Sequence, residues 1–307
     1  MNVFKDLNNL PKFRNAVITV GTFDGVHKGH QQIISKLNAL AKKQDGESIL
    51  ITFHPHPRFV LNPNDTSLKL INTLEEKISL LKNYGIDNLV IVPFTKEFSE
   101  LSAEEYVTEF LLKNFHPKVI AIGYDHQFGK GRKGNIELLK LYQNEYSFEI
   151  ERIEKEELDD ITISSTKIRN ALENGEVDLA FELMNHPYFI EGKVIKGKQL
   201  GRTIGFPTAN IEIPVSYKLI PKTGVYAVKI LVKNQEYKGM LNIGLKPTFD
   251  ENGLSTEVHI FDFKEDIYSE TVSVQFIAFL RNETKFDSLE DLKTQLEKDK
   301  IKALKQF

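Results

Sequence analysis

Four short apolar runs, rich in Val and Ile, divide the first half of the chain. They occupy residues 16–20, 49–53, 89–92 and 119–122. Continuous apolar runs of this length are typical of strands buried on both faces of a parallel sheet. Amphipathic stretches with helical spacing lie between them, and one opens on Ser102 and Glu105, which fit a capping box. The alternation predicts an α/β domain with a doubly wound sheet whose ligands bind at the carboxyl ends of the strands.

The pattern changes near residue 187. Two helical stretches, at 165–174 and 177–184, give way to strand-like segments punctuated by Gly and Pro. These segments are 188–195, 225–232, 237–243, 257–263 and 271–280, and an amphipathic helix over 288–304 closes the chain. Alternation with period two and frequent turns predict a compact antiparallel barrel. We therefore expect an N-terminal domain at residues 1–184 and a C-terminal domain at 185–307.

Length and composition agree with this division and exclude several classes of protein. The 307 residues fit two domains. The absence of Cys excludes disulfide frameworks, thiolate metal sites and Cys nucleophiles. A formal net charge of −3 gives no basic field that would indicate a nucleic-acid or membrane partner. No apolar run approaches the ~18 residues of a membrane span, and the N-terminus lacks a signal-peptide core. We expect a cytoplasmic protein.

The densest chemical pattern is GTFDGVHKGH at residues 21–30, which follows the first predicted strand and opens a helix. Its glycines permit close approach of a ligand to the backbone, and the N-terminus of a helix favours anions. His27 and His30 share one face if the helix has begun, so both can contact one phosphate. Two alternatives stay open from the residues alone. The histidines could ligate a metal together with His54 and His56, or the segment could be an ordinary Gly-rich turn.

Two further segments have both a structural and a functional interpretation. Ser164, Ser165 and Thr166 precede a helix and could simply cap it. With Arg169 one turn later they could instead bind the phosphates of a nucleotide, because Arg is a good bidentate phosphate partner. The segment GYDHQFGKGR at 123–132 follows a strand and combines glycines with two cations. It could cover a ligand or form a solvated turn.

The segment GKQLGRTIGFPTAN at residues 197–210 is the most specific pattern in the second half. Its glycines suit a flexible flap over phosphates, to which Lys198 and Arg202 add positive charge. Thr208 and Asn210 offer oxygen ligands on the same side of a strand. That arrangement suits Mg²⁺ bound together with nucleotide phosphates. A Gly-rich hairpin would explain the glycines but not the sequence PTAN.

These segments together resemble the prokaryotic bifunctional riboflavin kinase/FAD synthetase family. The resemblance covers roughly residues 15–305, with the motifs in the expected order, and extends to TFHP at 52–55, SSTKIR at 164–169 and TEVHIFD at 256–262. Two departures are mild: Lys28 stands where the family typically has Leu, and His126 where it often has Phe. The resemblance implies a nucleotidylyltransferase domain followed by a six-stranded riboflavin kinase barrel.

The resemblance also implies roles for individual residues. It makes Glu257 the base of the kinase and His27, His30 and Arg169 the catalytic residues of adenylyl transfer. The implied nucleotide and phosphate contacts are Gly21, Thr22, Phe23, Asp24, Gly25, Gly29, Ser164, Ser165, Thr166, Gly197, Lys198, Gly201, Arg202, Gly205 and Thr208. The implied flavin contacts are His54, Pro55, Asp125, Phe128, Gly129, Arg132 and Arg281, and the implied metal ligands are Thr208 and Asn210.

The function implied by this resemblance is a bifunctional transferase of flavin cofactor biosynthesis. It would use ATP with Mg²⁺ to convert riboflavin to FMN, and then ATP to convert FMN to FAD with release of pyrophosphate. No tightly bound redox cofactor, nucleic acid or membrane is expected, and the chain would be a monomer or a transient oligomer. Two alternatives remain: a monofunctional riboflavin kinase with a scaffold N-terminal domain, and a regulatory flavin-binding protein.

Overall fold

The computed structural model describes residues 1–123, 126–153, 157–158, 161–197, 199–245 and 253–307. Backbone contacts divide the chain into two units. The first comprises Met1–Leu68 and Leu74–Ser164, and the second Lys69–Thr73 and Ser165–Phe307. Residues 165–184 belong by these contacts to the second unit, and the functional domain limits 1–184 and 185–307 stay a prediction.

The first unit is built on a sheet of six parallel strands. They are β1 (Asn2–Phe4), β2 (Val17–Val20), β3 (Ser48–His54), β4 (Asn88–Pro93), β5 (Val119–Gly123) and β6 (Glu149–Ile153), in the order β1-β4-β3-β2-β5-β6. Successive residues of the central strands face opposite sides, so that Val17 and Ile18 belong to separate buried clusters. The chain leaves β2 first toward β3 and later returns to β5. This reversal creates the crevice in which doubly wound proteins bind ligands.

Helices cover both faces of this sheet. They are α1 (Lys28–Lys43), α2 (Pro57–Leu61), α3 (Leu74–Lys82), α4 (Lys96–Ser99), α5 (Ala103–Glu105), a π-helical stretch Tyr106–Leu112, α6 (Lys113–Phe115) and α7 (Ile136–Tyr146). Short 3₁₀ turns occur at Leu7–Asn9 and Lys130–Arg132, and β7 (Glu157–Leu158) pairs with β8 (Ile161–Thr162). Ser102 and Glu105 form the predicted capping box, in which each side chain binds the other's backbone N–H.

The second unit contains the predicted barrel, which confirms the expected fold class. Its strands are β9 (Phe189–Ile195), β10 (Ala209–Glu212), β11 (Gly224–Val232), β12 (Gln235–Leu245), β13 (Leu254–Ile260) and β14 (Thr271–Arg281). They close in the order β10-β13-β12-β11-β14-β9 with antiparallel pairing throughout. Its helices are α8 (Ser165–Asn174), α9 (Val177–Met184), α10 (Leu200–Thr203) and α11 (Leu289–Leu304). Ala303 of α11 packs in an apolar cluster with barrel residues.

The segment Lys69–Thr73 is held in the second unit by a short ladder of hydrogen bonds. The amide of Leu70 donates to the carbonyl of Tyr217 at 2.7 Å, and the carbonyl of Leu70 accepts from the amide of Leu219 at 2.8 Å. The buried Nζ of Lys218 donates to the carbonyls of Ile71 and Phe189 at 2.7 and 2.9 Å. An ammonium group that binds two carbonyls in this way fixes the segment to the barrel. Within the described ranges, no helix combines the length and apolarity needed to cross a membrane.

Candidate functional site

The turn after β2 places His27 and His30 at the start of α1. Phe23, Gly25 and Val26 have positive φ angles of 48°, 85° and 40°, which non-glycine residues rarely adopt. Such conformations persist only where the surroundings hold them, and they concentrate at functional sites. His27 caps α1, and its Nδ1 accepts the amide of His30 at 3.3 Å. Because Nδ1 is an acceptor there, a neutral His27 carries its proton on Nε2.

The two imidazoles form a close stack. Their centroids lie 3.6 Å apart at 16°, and the ring of buried Phe23 lies 4.9 Å from that of His30. Nδ1 of His30 is buried and has no hydrogen-bond partner. Burial, followed by the charges of His27 and Lys77, places the pKa of His30 well below 6.5. The lowered pKa favours the neutral imidazole of His30 at pH 7.

Gly29 and Lys28 form the first turn of α1, beside this stack. The backbone amides of a first helical turn attract anions because they have no partners inside the helix. Among the described residues, no group of three or more His, Cys, Asp or Glu side chains could hold a metal ion. The turn at residues 21–30 has the features of a phosphate site. The described histidines there do not form part of a cluster that could bind a metal ion.

Two residues support this turn from inside the protein: Lys77, which sequence reasoning missed, and Thr52, which was recognised in the motif TFHP but not as a site residue. Nζ of Lys77, on α3, donates to the carbonyl of Thr22 at 2.6 Å. Oγ1 of Thr52, on β3, donates to the same carbonyl at 3.1 Å. Lys77 is only 6% exposed. Burial lowers its pKa, and the charge of buried Asp24 acts in the opposite direction. No local motif signals such a lysine, because its partner lies 55 residues earlier.

The predicted flavin residues of the first unit follow the two strands beside β2. His54 ends β3 and Pro55 follows it, while Phe128, Gly129 and Arg132 follow β5. A cavity of about 250 Å³ is lined by Arg132 and its neighbours at 122–123, 126–127 and 135–136. Arg132 Nε donates to Gln127 Oε1 at 2.9 Å, which orients the guanidinium.

A close backbone approach requires glycine at position 129, and burial affects the pKa of His54. A side chain at Gly129, where φ is 71°, would overlap the backbone of Ala103. Burial, together with the charges of Lys77 and Lys5, lowers the pKa of His54 against the opposing effect of Glu75. Asp125 lies outside the described residues.

The Ser-Ser-Thr segment lies at the start of α8. Ser165 and Thr166 belong to that helix and to the second unit, whereas Ser164 ends the first. Arg169 lies one turn later, and its Nε donates to the carbonyl of Lys69 at 2.8 Å. The role of these residues in phosphate binding stays a prediction.

In the barrel, Glu257 lies between two asparagines. The register pairs Glu257 of β13 with Asn210 of β10 and with Asn242 of β12. Directly opposed residues of neighbouring strands project from the same face of the sheet. Thr208 Oγ1 lies 3.2 Å from Glu257 Oε2, as donor to the carboxylate. Asn242 was not among the predicted site residues, although its position opposite Glu257 places it in the same group.

Two cavities meet at Thr208, which lines both. The first, of about 470 Å³ and here called the polar cavity, combines apolar lining residues with polar and charged side chains that include Arg202, Lys264 and Tyr268. The second, of about 320 Å³, is mostly apolar and contains Glu257 at its wall. Its lining also includes Met240, Asn242, His259, Arg281, Phe286 and Leu292. A polar and an apolar cavity on either side of one hydroxyl suit a phosphate donor and an aromatic acceptor.

Close approaches explain two glycines of the segment at 197–210, and a positive φ angle explains the third. A side chain at Gly197 would collide with the amide of Asn210, and one at Gly201 with the carbonyl of Phe206. Gly205 has a φ of 84° and open space around it. Arg202 donates to the hydroxyl of Tyr268 at 3.3 Å. Lys198 lies outside the described residues.

Arg281, a predicted flavin contact, lines the apolar cavity while its guanidinium is engaged elsewhere. Nε and the terminal Nη2 donate to Asp299 Oδ2 at 2.9 and 2.7 Å. Asp299 has no exposed surface and also accepts from Gln295 at 2.8 Å. This buried pair joins β14 to α11. Asp299 was missed by sequence reasoning because it resembles any other charged residue of an amphipathic helix.

Comparison with known protein families matches both parts of the chain. Residues 10–167 match the model of the FAD synthetase family, and residues 184–307 match that of riboflavin kinase. The chain is 41% identical over 286 residues to the bifunctional riboflavin kinase/FMN adenylyltransferase of Listeria monocytogenes serovar 1/2a, covering 93% of this chain and 90% of that protein. It is 35% identical to the Escherichia coli K12 protein of the same name, covering 100% and 98%.

The chain belongs to the bifunctional riboflavin kinase/FMN adenylyltransferase family. This membership confirms the predicted resemblance, and it supports the predicted bifunctional transferase over a monofunctional kinase or a regulatory protein. A solved structure named as a macrolide-efflux protein from Streptococcus pneumoniae has the same fold as this family member. The two chains share 35% identity with a TM-score of 0.87, covering 97% of this chain and 96% of the other.

Proposed function

We propose that this chain makes FAD from riboflavin in two ATP-dependent steps, one for each family model. The C-terminal barrel phosphorylates riboflavin to FMN. The N-terminal domain then transfers AMP from ATP to FMN and releases pyrophosphate. The observation that carries the first step is the position of Thr208, bonded to Glu257 at the meeting point of a polar and an apolar cavity.

In the kinase step, the apolar cavity receives the isoalloxazine ring and the polar cavity receives ATP. Glu257 accepts the proton of the terminal ribityl hydroxyl as that oxygen attacks the γ-phosphorus. The bond from the γ-phosphorus to the bridging oxygen breaks, ADP leaves, and FMN forms. The hydroxyl of Thr208 orients the carboxylate of Glu257 before the proton moves.

The residues around Glu257 fit a magnesium ion in chemical type. Thr208 and Asn210 offer hydroxyl and amide oxygens, and a carboxylate lies beside them. Hard oxygen donors of this kind suit Mg²⁺, which retains several waters and takes phosphate oxygens as its other ligands. When bound, the ion would neutralise charge on the phosphates of ATP. Thr208 and Asn210 would hold it.

In the adenylyl step, an oxygen of the FMN phosphate attacks the α-phosphorus of ATP, and the bond to the departing pyrophosphate breaks. No covalent enzyme intermediate is needed. The amides at the start of α1 and the neutral ring of His30 stabilise charge on the phosphates, with His27 stacked behind it. Ser165, Thr166 and Arg169 bind the remaining phosphates in this proposal. His54, Arg132 and the cavity beside Gly123 receive the flavin.

The same proposal covers the setting in which the enzyme works. It acts in the cytoplasm on small molecules, without a nucleic-acid or membrane partner, as a monomer or transient oligomer. It requires no tightly bound redox cofactor, since both reactions are displacements at phosphorus.

One assay tests both steps. The protein is incubated with riboflavin, ATP and Mg²⁺, and the flavins are separated by chromatography. We expect FMN to appear first and FAD to follow. FMN that is never converted would leave a monofunctional kinase, whereas riboflavin bound but unchanged would support a regulatory flavin-binding protein. Size-exclusion chromatography with light scattering, with and without flavin and ATP, measures the oligomeric state.

A further inference from the structure

The carbonyl of Thr22 is held by two donors from different elements. Nζ of Lys77 reaches it from α3 at 2.6 Å and Oγ1 of Thr52 from β3 at 3.1 Å. Thr52 is buried, and Lys77 nearly so. A carbonyl bound by both an ammonium group and a hydroxyl is fixed more firmly than one bound by water, because charge-assisted bonds are the stronger kind.

Thr22 begins the strained part of the turn. The amide of Gly21, one residue earlier, donates to the carbonyl of Ile51 at 3.0 Å, and this bond fixes the start of the turn to β3. Phe23, Gly25 and Val26, just after Thr22, have left-handed backbone angles. Phe23 in turn contacts the ring of His30. A shift of Thr22 would therefore move both the aromatic ring behind His30 and the amides that begin α1.

Lys77 also acts on the site through its charge. Burial lowers the pKa of Lys77, and the charge of Asp24, inside the turn, acts in the opposite direction. Burial lowers the pKa of His30, and the charges of His27 and Lys77 lower it further. His54 is affected by Lys77 as well, together with Glu75 and Lys5. Lys77 thus acts on two of the histidines of the candidate site.

We propose that Lys77 is a positioning residue for adenylyl transfer, which holds the Thr22 carbonyl so that residues 21–30 keep the shape that receives the phosphates of ATP. This inference rests on the proposed adenylyl step. The conserved-charge variant Lys77→Arg and the apolar variant Lys77→Met separate charge from packing, and Thr52→Val removes the second bond to Thr22 with little change in volume. Lys82→Met is the matched control, since Lys82 is exposed on the same helix.

The test measures FAD formation from supplied FMN and FMN formation from riboflavin in the same preparations. We expect Lys77→Met to lower kcat for FAD formation at least 10-fold and to leave FMN formation within 2-fold. Thr52→Val should lower FAD formation by a smaller factor, and Lys77→Arg should recover part of the loss. Lys82→Met should match the parent chain in both reactions.

A second measurement distinguishes positioning from mere loss of stability. In Lys77→Met, removal of a positive charge raises the pKa of His30, so the acid limb of the pH profile for FAD formation moves to higher pH. NMR of ¹³C-labelled histidines in the free protein should show the same displacement, and that readout does not depend on catalysis. Lys77→Arg should titrate like the parent chain.

These experiments test the adenylyl step and the positioning role of Lys77 separately. A parent chain that makes no FAD overturns the adenylyl step, while the NMR titration still tests whether Lys77 acts on His30. If Lys77→Met retains parental FAD formation and the parental titration of His30, the positioning role is wrong. If Lys77→Met does not fold, Thr52→Val decides by the same criteria, and parental FAD formation in that variant overturns the proposal.

Discussion

Thr208 Oγ1 lies 3.2 Å from Glu257 Oε2, where a polar and an apolar cavity meet in the barrel. The hydroxyl is a donor in this bond, so the carboxylate can still accept a proton from a substrate hydroxyl at its other oxygen. In the proposed kinase step, the phosphates of ATP occupy the cavity on one side of Glu257 and the flavin ring the cavity on the other. This relationship makes Glu257 testable apart from every residue of the first unit.

Replacement of Glu257 by Ala should reduce FMN formation at least 100-fold, since it removes the carboxylate beside Thr208 that takes the proton in the proposed step. FAD formation from supplied FMN should stay within 2-fold of the parent. Both rates are measured by chromatography of the flavins. Glu236→Ala serves as the control because Glu236 forms an exposed ion pair with Lys229 on the barrel. Equal loss of both activities would contradict separate sites for the two reactions.

Replacement of His30 should impair FAD formation and spare FMN formation, the opposite of the effect expected for Glu257→Ala. Removal of its ring in His30→Ala deletes a neutral imidazole from the start of α1, and we expect FAD formation to fall 10- to 1000-fold while FMN accumulates. His116→Asn is a suitable control: His116 is exposed with a φ of 42°, and Asn tolerates that angle. Parental FAD formation in His30→Ala would remove this residue from the site.

The parts of the fold that the sequence could predict are those governed by local pattern. The four apolar runs became β2 to β5, because strands buried on both faces need apolar residues at every position. Edge strands have no such requirement. β1 and β6 are partly exposed at the two edges of the sheet, and β6 contains Glu149 and Glu151, so neither was predicted.

In the candidate sites, too, only residues that belong to a local sequence pattern could be predicted. The Gly-rich turns and the histidine pair were recognisable because their chemistry is contiguous in sequence. Lys77 and Asp299 were not, since each is defined by a partner on a distant element. A buried lysine on an amphipathic helix has the same sequence signature as an exposed one. Only the fold shows which charged residue is taken out of water.

The pair of Arg281 with Asp299 should contribute substantially to stability. Asp299→Asn leaves the guanidinium partly buried without its counter-charge, and loss of one partner of a buried pair costs ~3 kcal/mol or more. Urea denaturation followed by circular dichroism measures this loss. In the double variant Arg281→Met with Asp299→Leu the loss should be smaller than in Asp299→Asn. Glu236→Gln, which breaks an exposed pair, should cost at most ~1 kcal/mol.

His259 should make the stability of the protein depend on pH. Burial lowers its pKa and so does the charge of Lys300, while a hydrogen bond from Nδ1 to the carbonyl of Pro207 at 2.8 Å and the charge of Asp262 act in the opposite direction. Because its pKa is lower in the folded than in the unfolded chain, the unfolded chain binds more protons below pH 6.5. The stability associated with neutral His259 is therefore present above pH 6.5 and decreases as the pH falls toward the folded pKa. The urea midpoint of the parent chain should drop more between pH 7 and pH 5.5 than that of His259→Gln. Equal drops in the two proteins would show that His259 keeps its ordinary pKa in the barrel.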